Sequence, residues 1–210
     1  MKGNLRLSKV ERKTEETQIS LEFNLDGQGR FKGSTQVPFL DHMLALFTKH
    51  GLFDLEIEAS GDIEVDDHHT VEDVGLSLGE ALLKSLGSKE GINRYGSILL
   101  PMDEALVACA VDISGRPYLA FPPLLRPTKE SSLSGLSYSP KIGDFDLSLI
   151  KEFFKAFTNS AKLTLHIKIM ASEDIHHIIE AMFKALGKAL SQAVTINPRV
   201  KGLPSTKGKL

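Results

Sequence analysis

The sequence predicts an α+β fold of two internally duplicated half-domains, with helices packed between two mostly antiparallel sheets. Three observations carry that prediction. His68-His69-Thr70-Val71-Glu72 recurs as His176-His177-Ile178-Ile179-Glu180. Gly79-Glu80-Ala81-Leu82 recurs as Gly187-Lys188-Ala189-Leu190 at the same offset of 108, so one duplication explains both. Each half reads strands, helix, strand, long helix, which buries its apolar faces by stacking sheets on helices. Residues 1–90 are the first half-repeat and 91–198 the second, together one compact domain. Residues 199–210 are a basic tail.

Thr17 to Leu25 alternates apolar and polar residues, the pattern of a half-buried strand. Asp26-Gly27-Gln28-Gly29 is a turn, and a hairpin returning through Phe31 to Val37 is expected. Pro38 ends the strand. The apolar positions from Phe39 to Phe47 then form a wide helical face, with Gly51 expected as C-cap. Leu55 to Ala59 alternates again. Asp66 and Asp67 are placed to cap a helix that runs from the first His pair to about Leu86, closed by Gly87-Ser88.

In the second half, Ser97–Leu100 and Leu106–Ile113 read as strands after a short loop. Asp112-Ile113-Ser114-Gly115-Arg116 echoes the turn at Asp26, so a hairpin is expected here too. Pro117 to Pro140 is rich in proline and serine and reads as a long exposed loop. Asp146 is placed to cap a helix through Phe157. Leu163–Met170 reads as a strand, and the second His-pair helix runs to about Ala193. Little local structure is expected in the Gly/Pro-punctuated tail.

Composition narrows the function classes. A 210-residue chain, 41% hydrophobic, is long enough to bury a sizeable core. A net charge of −2 carries no nucleic-acid footprint. No apolar run approaches the ~18 residues of a membrane span, and the N-terminus lacks a signal-peptide core. Cys109 is the lone cysteine, so a reducing cytoplasm is expected. It lies in an apolar run and reads as a buried strand residue, not a nucleophile.

The His pairs carry the chemistry. On a helix, the first His and the Glu of each HHxxE unit are at i and i+4, one turn apart on one face. The second His points roughly 100° around the axis, toward a different metal. At an offset of 110, His42 in the preceding helix aligns with Glu152. The ligand inventory is therefore His42, His68, His69 and Glu72 in one half, and Glu152, His176, His177 and Glu180 in the other. Eight ligands for two metals leave coordination positions open for substrate. Mixed imidazole and carboxylate ligation suits Mn, Fe, Ni or Zn. The bland alternative is two chance His pairs at solvated helix starts, which does not account for the shared Glu and downstream Gly-x-Ala-Leu. Adjacent ligands aimed at different metals favour an intersubunit site in a symmetric homo-oligomer. His166, mid-strand, reads as a hydrogen-bonded structural residue, and His50 as a helix C-terminal residue facing the dipole.

The chain closely resembles the imidazoleglycerol-phosphate dehydratase family of histidine biosynthesis. The resemblance rests on Arg12 to Thr17, Phe39-Leu40-Asp41-His42-Met43-Leu44, Gly61-Asp62 through Asp66 to Asp73, and Gly91 to Gly96. It continues through Pro101-Met102-Asp103-Glu104-Ala105-Leu106, Asp112 to Pro117, His176 to Glu180 and Pro204-Ser205-Thr206-Lys207-Gly208. It implies two divalent metals per active site, Mn2+ foremost, and 24 subunits built from trimers with intersubunit active sites. It implies loss of water from imidazole glycerol phosphate to give imidazole acetol phosphate, through an imidazolate favoured by two metals. His42, His68, His69, Glu72, His176, His177 and Glu180 match family ligands. Glu152 stands where the family often has a His.

The resemblance also assigns substrate contacts. Glu16 matches a substrate-contacting Glu and is the candidate proton carrier, with Glu72 and Glu180 as secondary candidates. Arg94, Arg116, Lys184, Ser205, Thr206 and Lys207 match positions around the phosphate, and His42 lies at the substrate as well as the metal. Two other readings share these residues. A dinuclear phosphoesterase would release inorganic phosphate. A metal-dependent assembly protein would oligomerise without turnover and without need of Glu16 or Lys207.

Overall fold

A computed structural model describes residues 6–124 and 141–210. The first half comprises β1 (Leu7–Lys13), β2 (Thr17–Asn24), β3 (Arg30–Ser34), α1 (Pro38–Gly51), β4 (Asp54–Gly61) and α2 (His68–Leu86). The second comprises β5 (Tyr95–Met102), β6 (Ala105–Asp112), β7 (Tyr118–Ala120), the short pair β8 (Lys141–Ile142) and β9 (Phe145–Asp146), α3 (Ser148–Ala161), β10 (Thr164–Ala171) and α4 (Ile175–Val194).

The two sheets have the same topology, β1-β2-β4-β3 and β5-β6-β10-β7. In each, two antiparallel pairings are followed by one parallel pairing at the edge. The duplicated α+β architecture therefore holds. The expected hairpins do not. β3 does not return along β2 but crosses over through α1 to pair in parallel with β4. Both edges of β2 are already taken, by β1 and by β4. The charge-dense stretch Leu7–Lys13 supplies β1 and the hairpin turn is Thr14-Glu15-Glu16. Likewise, β5 and β6 form the hairpin of the second half, turning at Asp103-Glu104, and the Asp112–Arg116 segment leads to parallel β7.

Helix ends follow local chemistry. Asp66 Oδ1 accepts the His68 N–H at 2.7 Å, and Asp174 Oδ1 accepts the His176 N–H at 2.7 Å, so the duplicated carboxylates hold both histidine-bearing helix starts alike. Asp146 Oδ1 does the same for Ser148 N, at 2.8 Å. Asp41 accepts both the backbone N–H and the hydroxyl of Thr35 at 2.7 Å, fixing the entry to α1. The left-handed cap of α1 is Leu52, not Gly51. Gly51 is the last helical residue, where a Cβ would lie 2.4 Å from the Phe53 ring.

The helices pair across the halves. α1 packs along α4, and α2 along α3. Gly187 permits the first pairing, since a Cβ there would stand 2.5 Å from Phe47 O. Gly79 permits the second, since a Cβ would stand 2.5 Å from Phe157 O. α2 also covers the first sheet and α4 the second. Between these layers lie Phe23, Phe47, Phe53, Phe153, Phe154, Phe157 and Phe183, each at most 1% exposed. Burying rings of this size supplies much of the hydrophobic stabilisation.

The tail is more structured than its composition suggests. Gly91 N donates to Gly202 O at 2.9 Å, and Arg94 donates to Pro204 O at 2.9 Å. Of the Pro117–Pro140 excursion, residues 118–120 form β7, and residues 125–140 lie outside the described residues. No helix among the described residues is long and apolar enough to cross a membrane.

Candidate metal centre

The pairing of α1 with α4 assembles the first cluster. His42 Nε2 stands 3.1 Å from Glu180 Oε1, and His176 Nε2 stands 3.0 Å from the same oxygen. Ligand atoms of all three residues lie within 4.8 Å of one another. Two imidazole nitrogens and a carboxylate oxygen converging on one point suit a divalent transition metal. Lys184 Nζ donates to the other oxygen, Glu180 Oε2, at 2.8 Å. Burial raises the Glu180 pKa, but Lys184, His42 and His176 outweigh it and hold the carboxyl at about 2.

The equivalent place between α2 and α3 is arranged differently. His68 Nε2 is 3.6 Å from Glu72 Oε2, the expected i,i+4 relation. Glu152 comes from α3, but its Oε2 accepts from Lys155 Nζ at 2.9 Å. Hydrogen bonding and charge from Glu152 raise the Lys155 pKa, with a further contribution from Glu72. Among the described residues, the ligand atoms of His68, Glu72 and Glu152 do not all lie within 4.8 Å of one another. Each cluster carries a lysine on its carboxylate, Lys184 in one and Lys155 in the other.

The second histidines face away from their own i,i+4 pairs. His69 Nδ1 is 3.1 Å from both oxygens of Asp62, and His177 Nδ1 is 3.0 Å from both oxygens of Glu104. Hydrogen bonding to Asp62 raises the His69 pKa, and Glu104 does so for His177. A carboxylate on Nδ1 fixes the ring and leaves Nε2 as the ligand atom. Asp103, Glu104 and His177 also lie close enough to form a metal group of their own. Because Asp62 engages His69 in the same way, Glu104 is better read as the orienting partner. Asp62 and Glu104 fall within the motif stretches, but sequence spacing alone did not mark them as histidine partners. They come from the residue after β4 and from the β5–β6 turn, which only folding brings to the helix starts.

Glu16, at 54% side-chain exposure, lies in the β1–β2 turn with Oε1 3.7 Å from His69 Nε2. That turn is pinned to α2 by buried Asp73, which pairs with Arg12 at 2.8 Å and accepts from Thr17 Oγ1 at 2.5 Å.

The residues expected around a phosphate lie elsewhere in the same chain. Arg94 makes a two-pronged pair with Asp112, at 2.7 and 3.1 Å, and lies over the Tyr95 ring. Arg116 donates to Ser114 O at 3.3 Å. Ser205 Oγ donates to Lys209 O, and Lys207 N donates to Ser205 Oγ, in the turn that also holds Thr206. Arg94 N donates to Ala193 O, placing this group at the C-terminal end of α4. His176 is at the opposite end, about 25 Å away at 1.5 Å rise per residue. Lys184 alone lies beside the first cluster.

The remaining histidines are outside both clusters. His166 is exposed on β10 with its ring 5.5 Å from Tyr118, so its mid-strand position is on the outer face and not in the core. His50 is in the last turn of α1, where burial and then Lys184 and Lys188 lower its pKa. Cys109 is buried, and burial pushes its thiol up to about 12.

Comparison with known proteins bears on the whole chain. The family model described as imidazoleglycerol-phosphate dehydratase matches residues 35–190. A protein of that name from Moorella thermoacetica is 52% identical over 202 residues, 96% of each chain. Another from Bacillus licheniformis is 52% identical over 206 residues, 98% of this chain and 100% of the relative. The crystal structure of the Staphylococcus aureus protein of that name superposes with a TM-score of 0.76 at 39% identity, covering 91% of this chain and 99% of its own.

Proposed function

This chain belongs to the imidazoleglycerol-phosphate dehydratase family, and on that premise we propose that it removes water from imidazole glycerol phosphate with the aid of two divalent metals. It is a hydro-lyase of histidine biosynthesis. The observation that carries the metal reading is the convergence of His42, His176 and Glu180 from two helices of different halves. The donor set fits Mn2+. His68, Glu72 and Glu152 would hold the other ion, which requires Glu152 to give up its hydrogen bond from Lys155. His69 and His177, directed outward by Asp62 and Glu104, complete sites on neighbouring subunits. Bound there, the metals would supply positive charge at the substrate ring nitrogens.

The remaining steps belong to the chain's own groups. The proton to be removed lies on a carbon beside the ring. Glu16 Oε1 is the base that takes it, from an exposed turn beside His69, and returns it to the hydroxyl that departs as the neighbouring C–O bond breaks, giving water. Glu180 suits this role less well, because three donors hold its charge on the carboxylate. Glu72 also serves better as a ligand, one turn from His68. Arg116, Ser205, Thr206 and Lys207 bind the phosphate, with Arg94 holding the tail by its Pro204 carbonyl.

The distance between these groups supports a shared site. Three substrate carbons cannot span the length of α4, so the metal end of one subunit must meet the phosphate end of another. That favours a homo-oligomer, for which the 24-subunit assembly of trimers is the proposed form, in the cytoplasm. The test is formation of imidazole acetol phosphate with manganese and again with excess chelator. Metal-dependent turnover is expected. Release of inorganic phosphate instead would overturn the reading in favour of a phosphoesterase.

A further inference from the structure

The two hairpins of the duplication match at an offset of 88, because Leu7 faces Asn24 across β1 and β2 as Tyr95 faces Asp112 across β5 and β6. Glu16 in the first turn therefore corresponds to Glu104 in the second. Their contacts differ. Glu104 accepts at His177 Nδ1, at 3.0 Å. In the first half Asp62 takes that place on His69, and Glu16 is left on the Nε2 side of the ring.

The anchoring beneath the two turns differs as well. In the first half Arg12 pairs with Asp73 Oδ1 at 2.8 Å, and Thr17 Oγ1 donates to Asp73 Oδ2 at 2.5 Å. The corresponding residues of the second half are Leu100 and Ala105, at the offset of 88, and Ala181, at the helix offset of 108. All three are buried. The same fold thus accepts apolar residues at every place of this network. A buried ion pair is weak grounds for stability, because desolvation offsets much of its attraction. Among the described residues, Arg12 Nε is also buried without a hydrogen-bond partner, which adds a cost. Stability does not account for the network, but position does. Thr14 Oγ1 accepts from the N–H groups of Glu16 and Thr17, at 3.1 and 2.9 Å. Glu16 O accepts from Asp62 N at 3.2 Å. A continuous set of bonds therefore runs from Asp73 on α2, through Thr17, to both carboxylates that flank the His69 ring.

We propose that Asp73, acting with Arg12 and Thr17, is a positioning residue that holds the Glu16 carboxylate beside Nε2 of His69. It acts only through the turn. With apolar residues in its place the hairpin keeps its register but loses its polar tie to α2, and Glu16 no longer has one fixed place. The inference rests on the reading of Glu16 as the base.

The test is the triple variant Arg12→Leu, Thr17→Ala and Asp73→Ala, which carries the second half's residues. Assayed with manganese, it is expected to keep the parent's assembly and KM within twofold and to lose at least tenfold in kcat. In a Glu16→Gln background the same triple change should lower kcat no further, because an absent base cannot be misplaced. Parent kcat in the triple variant, or an equal fold-loss in both backgrounds, would overturn the proposal. Should the triple variant not fold, Thr17→Val removes only the hydroxyl that links Asp73 to the turn. Its kcat is expected to fall at least threefold with KM kept, and parent kcat there would reject the proposal. Hydrogen exchange reads the turn without turnover. The Glu16 and Thr17 amides should exchange at least tenfold faster in the triple variant, with the β5–β6 turn unchanged; parent rates at Glu16 and Thr17 count against the proposal. A parent protein with no turnover would remove the base reading and this inference together, whereas turnover that survives the triple change removes only this inference.

Discussion

Nε2 of His42 lies 3.1 Å from Oε1 of Glu180, although 138 residues separate the two and they belong to different halves. The contact exists because α1 packs on α4 through Gly51 and Gly187, and not on α2 beside it in sequence. Each half thus contributes one helix to the other half's histidine pair.

If these residues share one metal, His42→Ala and Glu180→Gln remove the same ion. Manganese titration should show one site lost in each variant and no further loss in the double variant. Additive losses at two separate sites would show that the contact is not a ligand set.

Glu152 is expected to hold the second metal once Lys155 releases it. Glu152→Ala should therefore weaken one manganese site at least tenfold and leave the other intact. Unchanged stoichiometry and affinity would mean that Glu152 serves only as the partner of Lys155.

Glu16 stands in an exposed turn and supports no packing. Glu16→Gln should cut kcat by about 10²-fold or more, the usual scale for a general base. Sedimentation should show the parent assembly. Loss of assembly together with activity would sink the proton-transfer role.

Gly187 and Gly79 each face a backbone carbonyl across a helix pair. Alanine gains up to ~1 kcal/mol of helix propensity at such positions. A Cβ at 2.5 Å from backbone cannot be relieved by rotating a side chain, so overpacking of about 1–3 kcal/mol should prevail. Gly187→Ala and Gly79→Ala should lower the denaturation midpoint, and Gly187→Ala should weaken the His42 site as well. A midpoint at or above that of the parent would show that the helices move apart without cost.

Cys109 has its thiol pushed up to about 12 by burial, so almost no thiolate forms at pH 8. In the folded protein it should react with a disulfide reagent only as fast as the chain unfolds, and promptly in denaturant. Fast reaction in the native state would mean that β6 opens locally.

The repeat, the two HHxxE helices, their aspartate caps and the candidate ligand types were legible along the chain, because these are local. A cap depends on residues two apart, and an i,i+4 pair on one helical turn. Alternation also marked β2 and β4, and apolar runs marked β6 and β10 as strands. What the sequence did not determine was partnership. The turn at Asp26-Gly27 says that the chain changes direction, not which edge it joins, so β3 was expected beside β2 when that edge belonged to β1. The same holds at the site. His42 and Glu152 were legible as candidate ligands, but their division between clusters was set by α1 crossing to α4 and α3 to α2. The roles of Asp62, Glu104 and Lys155 likewise came only with the fold. The physical reason is that packing selects partners by surface shape, here by which glycine lets which backbone approach, and that complementarity is not written at any fixed spacing along the chain.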